Sequence, residues 1–187
     1  MLDDDDITLV IVPGWQDSGP NHWQTLWERG YPLSRRVDQA DWETPVRAHW
    51  VAALDALLAD IDGPVVIAAH SLGVATVAHW AAGHDYAAFR RVKGALLVAP
   101  PDVERAGFAA SIPASGYAPL PAMRLPFPAI VVASRSDPFC DYARAEAFAK
   151  AWGARLVDAG DAGHINTAAG YGSWPAGQRL LQTLMLG

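Results

Sequence analysis

The chain has 187 residues, enough for one domain of ordinary size and too few for a second sizeable core. Apolar residues make up 51% and charged residues 18%, the balance of a compact globule and not of a disordered chain. The net charge of −6 argues against a nucleic-acid surface, and the single cysteine, Cys140, excludes a disulfide framework or a multi-cysteine metal site.

The chain opens on an acidic run, Asp3–Asp6, read as a solvated tail over residues 1–6. It lacks the cationic start and apolar core of a secretory signal, and no stretch approaches the ~18 apolar residues of a membrane span. A soluble, cytoplasmic, single-domain protein over residues 1–187 is expected.

Ile7–Val12 is a short β-branched run stopped by Pro13-Gly14, as suits a strand covered on both faces. Residues 21–29 carry Trp23, Leu26 and Trp27 at helical spacing, and 35–38 suit a short edge strand. Pro45 opens a helix whose apolar stripe runs through Trp50, Leu54 and Leu58. Pro64–Ala69 is a second apolar strand, followed by a helix over 71–82 and a third strand over 92–99. Residues 101–126 are rich in Pro, Gly, Ala and Ser and read as a long functional loop with one short helix. Strand 128–134, helix 142–152, strand 154–158 and helix 178–186 complete the chain. Strands alternating with helices predict a mostly parallel sheet of about six strands between two helix layers, an α/β sandwich without a large lid domain.

The segment Ala69-His70-Ser71-Leu72-Gly73 joins an apolar strand directly to a helix. It has the form of a G-x-S-x-G nucleophile elbow with Ala69 at the first glycine. Small residues are needed two before and two after the serine because the strand and helix backbones nearly touch there. The competing reading is that Ser71 is only a helix N-cap.

A serine hydroxyl needs a base to attack near neutral pH, and six histidines are available. His70 is next to Ser71 in sequence, so its side chain should point away from that of Ser71. His79 and His84 fall on the helix after the elbow, and His22 and His49 belong to early helices as packing or surface residues. His164 follows the last strand in Gly163-His164-Ile165-Asn166, at the carboxyl edge that also presents Ser71. Asp137 follows the strand before it, in Ser134-Arg135-Ser136-Asp137-Pro138, and is the carboxylate expected to orient the imidazole. Its competing role is turn formation; Asp141 suits a helix cap and Asp161 shares the histidine's own loop. The order Ser71, Asp137, His164 is that of an α/β-hydrolase triad. Backbone N–H groups of Leu72 and Trp15 are the candidate oxyanion donors, Gly14 allowing the loop after the first strand its turn.

These blocks, with Val12-Pro13-Gly14-Trp15, Asn21-His22-Trp23 and Gly172-Ser173-Trp174-Pro175, resemble the small serine hydrolases typified by the bacterial YdeN proteins and human retinoblastoma-binding protein 9. The resemblance covers nearly the whole chain. It implies a minimal α/β-hydrolase fold with its triad at Ser71, Asp137 and His164. The L-x-C-x-E segment behind the retinoblastoma label is absent, since Cys140 lies in Phe139-Cys140-Asp141, and no such partner is expected. Trp15, His70 and Trp174 are candidate substrate-binding residues, with the alternative that most of the tryptophans are core.

The expected function is hydrolysis of carboxylic esters, less readily of small amides or peptides, through an acyl-enzyme and with no metal or organic cofactor. The expected partner is a small-molecule substrate, with no nucleic acid and no membrane. The alternative is a non-catalytic binding or scaffold protein that keeps the fold.

Overall fold

The computed structural model describes residues 6–187. The acidic tail expected over 1–6 therefore lies outside the described residues except for Asp6, which is exposed. In chain order the elements are β1 (Thr8–Val12), α1 (Trp23–Gly30), β2 (Ser34–Arg36), α2 (Arg47–Ala59), β3 (Val65–His70), α3 (Leu72–Gly83) and α4 (Tyr86–Phe89). They continue with β4 (Val92–Val98), α5 (Phe108–Ser111), β5 (Ala129–Ala133), α6 (Tyr142–Trp152), β6 (Arg155–Asp158) and α7 (Pro175–Leu186). The strands form one six-stranded sheet in the order β2-β1-β3-β4-β5-β6, every neighbouring pair parallel. The α/β sandwich expected from the alternation is what forms.

The uninterrupted apolar runs follow from burial on both faces. Val10, Ile67, Ala95, Leu97 and Val131 face one core, which α2, α3 and α6 close with Trp50, Leu54, Val77, Trp80, Phe148 and Trp152. The residues between them, Leu9, Ile11, Val66, Leu96 and Val132, face a second core closed by Trp23, Trp27, Leu181 and Leu184 of α1 and α7. Period-two alternation thus sends one strand's side chains into two separate cores, and both must be apolar.

Residues 101–126 hold α5, and much of the loop is packed down. Tyr117, Leu120 and Leu125 are buried, Tyr117 Oη is 3.1 Å from Thr76 Oγ1 of α3, and Trp152 Nε1 donates to Pro121 O at 2.8 Å. Among the described residues, no separate lid domain stands over the sheet. No helix of the described residues is long and apolar enough to cross a membrane.

β1 and β3 are neighbours within the sheet. From β1 the chain passes to β2 on one side, and from β3 to β4 on the other. Beyond their carboxyl ends the connections diverge, opening the crevice where ligands bind in such sheets.

Candidate active site

β3 ends at His70, and α3 begins at Leu72, so Ser71 carries the whole change of direction. Its backbone has φ 54° and ψ −122°, a region that a non-glycine residue occupies only when its surroundings impose it. The cause is close packing. A Cβ on Gly73 would run into the carbonyl oxygens of Val12 and Pro13, so the end of β1 lies against the start of α3. Ala69, wholly buried in β3, fits at the other small position. Ser71 stands at the N-cap position of α3 but makes no side-chain cap bond. Its hydroxyl is instead 2.9 Å from His164 Nε2, which removes the capping account of this serine.

His164 Nδ1 is 2.9 and 3.1 Å from the two carboxylate oxygens of Asp137. A carboxylate only accepts, so Nδ1 carries the proton and Nε2 is left to accept from Ser71. The Asp137 side chain is 3% exposed, and one of its oxygens also accepts the Phe139 N–H at 2.9 Å. The turn role and the role facing the histidine thus coexist in one carboxylate. The two loops are sewn together by serines: Ser134 Oγ accepts from Ala162 N and Ser136 Oγ from Gly163 N, both at 3.0 Å. Those two hydroxyls escaped the sequence reading; the Ser-x-Ser-Asp pattern at a strand end was their only trace.

The loop after β1 passes directly over the elbow. A Cβ on Gly14 would lie 3.1 Å from Ser71 Cβ and 3.2 Å from Leu72 N. Gln16 and Asp17 both have positive φ, at 64° and 63°, and Gln16 N donates to Trp42 O at 3.2 Å. The N–H groups of Trp15 and Leu72 take no such acceptor among the described residues.

A cavity of about 250 Å³ opens here, its wall including Trp15, His22, His70, Ile112, Phe139 and Asn166 around Ser71 and His164. Trp15 and His70 are therefore at the cavity. Trp174 is not: it packs against Trp23, Trp27 and Tyr171 with ring centroids 5.2 to 5.7 Å apart, over Gly177. The expectation of a substrate contact there is corrected: the Trp174 ring packs on the α1 tryptophans and is not among the residues that line the cavity.

His22, expected as a packing or surface residue, is buried and reaches the cavity wall. Its Nδ1 accepts the Gln24 N–H at 3.1 Å, capping α1, while its buried Nε2 has no partner. Burial first, then the Arg36 and His164 charges, lowers its pKa from 6.5 to about 4. His70 is held well below 6.5 by burial and by the adjacent His164 and His22 rings. His79 bonds the Tyr117 carbonyl at 2.7 Å, and His84 pairs with Asp55 at 3.0 Å. Asp141 begins α6 without a side-chain cap bond. The Cys140 thiol is pushed up to about 12 by burial and then by Asp137, which leaves it a poor nucleophile. Among the described residues, no group of three or more His, Cys, Asp or Glu is placed to hold a metal ion.

A comparison with curated protein sequences gave no match. Among solved structures, a protein described as a YdeN-like hydrolase from Pectobacterium atrosepticum is 33% identical. Its TM-score is 0.82, over 97% of this chain and 92% of that one. The ydeN product of B. subtilis is 15% identical with a TM-score of 0.72, covering 97% and 100% of the two chains. A thermophilic esterase from Thermogutta terrifontis with propionate bound is 15% identical with a TM-score of 0.66, covering 96% and 82%. The family model described as serine hydrolase matches residues 9–183, from β1 to the last turns of α7. That span takes in all the loops gathered at the carboxyl edge of the sheet, and the chain accordingly belongs to the serine hydrolase family, with the α/β-hydrolase fold.

Proposed function

We propose that the protein hydrolyses carboxylic esters of small acids through an acyl-enzyme on Ser71. The single observation that carries this reading is the 2.9 Å contact between Ser71 Oγ and His164 Nε2, backed by Asp137 on the far side of the ring. His164 takes the Ser71 proton as Oγ attacks the ester carbonyl. The alkoxide that forms on the carbonyl oxygen lies against the free N–H groups of Trp15 and Leu72. Such donors act on charge that exists only in the transition state, so each is worth about 10²–10³-fold in rate. His164 then gives its proton to the leaving alcohol. In the second half, water attacks the acyl-enzyme with His164 again as base, releasing the acid and restoring the Ser71 hydroxyl. Asp137 holds the imidazole in the tautomer both halves require.

A cavity of about 250 Å³ with Ile112, Phe139 and Trp15 in its wall suits a short acyl group. The Thermogutta terrifontis esterase holds propionate, an acid of that class.

The test is Ser71→Ala with p-nitrophenyl butyrate and a fluorophosphonate probe. The wild type should turn over the ester and be labelled once, at Ser71. The variant should lose about 10⁶-fold in kcat and all labelling while its thermal unfolding is retained. Wild-type protein that is neither active nor labelled would instead fit a binding protein built on the same fold.

A further inference from the structure

The peptide that carries His164 is held in an unfavourable conformation. Ile165, which follows it, has φ 47° although it is β-branched, and it is completely buried. A β-branched residue in the left-handed region is a genuine outlier and persists only when neighbours impose it. The carbonyls on either side of that φ are each gripped from another part of the fold. His70 Nε2, at the end of β3, lies 2.8 Å from His164 O, and Trp23 Nε1, at the start of α1, donates to Ile165 O at 3.0 Å. A carbonyl only accepts, so the His70 proton sits on Nε2.

We propose that His70 and Trp23 form a two-pronged clamp that holds the His164–Ile165 turn in its strained conformation and so keeps the imidazole in register with Ser71. Both are positioning residues, and the proposal rests on the triad reading above. Without the two donors, Ile165 relaxes to negative φ, the His164 peptide rotates, and Nε2 leaves the Ser71 hydroxyl. One prong is the residue immediately before Ser71, so nucleophile and base are referenced to the same point of β3. The His70 ring is 4.8 Å from that of His164 and is backed edge-on, also at 4.8 Å, by His22. Burial keeps His70 neutral, so the clamp adds no positive charge beside the imidazolium that forms on His164. The Asn21-His22-Trp23 block thereby acquires a role in the site, since its tryptophan reaches across to the histidine loop, 142 residues away in sequence.

The clamp is tested with His70→Leu, which keeps bulk without the donor, His70→Gln, whose amide N–H can reach the same carbonyl, and Trp23→Phe, which keeps a ring without the N–H. Two quantities are read: kcat and KM on p-nitrophenyl butyrate, and the proton NMR resonance of His164 Nδ1–H. Small displacements of a reacting group cost about 10²-fold, so His70→Leu should lose about that in kcat, with KM changed by no more than about threefold. His70→Gln should recover most of that loss, and Trp23→Phe should lose about tenfold in kcat. The Nδ1–H resonance should broaden or vanish in the Leu and Phe variants and persist in the Gln variant. If His70→Leu does not fold, the other two variants decide. Unchanged kcat in the donor-less variants, equal losses for Leu and Gln, or an unchanged resonance in all three would overturn the clamp. The resonance reads the turn even in a protein with no esterase activity, so failure of the hydrolase reading and failure of the clamp are separate results.

Discussion

His22 couples the stability of the fold to pH. Free in an unfolded chain it titrates near its ordinary 6.5, whereas in the folded protein burial and the Arg36 charge bring it to about 4. Between those values the unfolded chain binds a proton that the folded one refuses, so stability falls as pH drops from 6.5 towards 4. Below about 4 both states are protonated and the slope ends. The interval corresponds to about 3 kcal/mol lost across it from this one ring. His70 acts in the same direction, so the isolated effect of His22 appears as a difference between proteins. His22→Asn keeps a residue able to cap α1 and removes the titration. Urea midpoints at pH 4, 5, 6.5 and 8 should fall less steeply on the acid side in the variant. Equal slopes in the two proteins would show that His22 does not titrate in this way.

Among the elements, the elbow makes the most exacting demand on sequence. A Cβ on Gly73 meets backbone oxygens of Val12 and Pro13, which belong to the sheet and cannot yield as a flexible side chain would. Gly73→Ala should therefore destabilise by more than about 4 kcal/mol or prevent folding, measured by urea unfolding, the range reached only by such specific conflicts. Ala69→Gly, on the strand side of the same turn, should cost only about 1 kcal/mol. The need for small residues on both sides of Ser71 was legible from the residues, because the elbow is a local motif whose strand, turn and helix are contiguous; the contrast between the two positions was not. The six strands were legible for a related reason: burial on both faces leaves continuous apolar runs between turn residues. β2 was the faintest, three residues at the sheet edge with a partly exposed Ser-Arg-Arg sequence. The start of α7 was missed by three residues, since Pro175-Ala176-Gly177 carries no apolar stripe and only the proline marks the first turn. The ties between loops were not legible at all. Ser134 and Ser136 reach the histidine loop, and His70 and Trp23 hold its carbonyls, only because β3, β5, β6 and α1 are brought together by the sheet order. Trp174 misled for the same reason, its neighbours in space being the α1 tryptophans and not the elbow.

In the whole molecule, the cavity is a product of the topology: the loop after β1 and the end of β3 at His70 and Ser71 line it, and a segment between β4 and β5 supplies part of its wall. Ile112, just after α5, is the residue of the 101–126 loop that reaches the wall beside Phe139. The loop is anchored at both α3 and α6 and Ile112 is buried, so its side chain serves as a fixed stop in the wall. Under the ester reading, the length of acyl chain accepted is then set by this side chain. Ile112→Ala removes three carbons from the wall and should let longer chains enter. One methylene in an apolar site is worth about 1–3 kcal/mol of discrimination, so the preference for a butyrate over an octanoate ester should fall by about tenfold or more. The same change leaves a gap in a buried position and should cost about 2–5 kcal/mol of stability. Partial unfolding lowers kcat/KM for both esters by the same factor, and the ratio of the two is therefore blind to it. A butyrate-to-octanoate ratio equal to that of the wild type would place the limit on chain length elsewhere in the wall, with Phe139 the next residue to shorten.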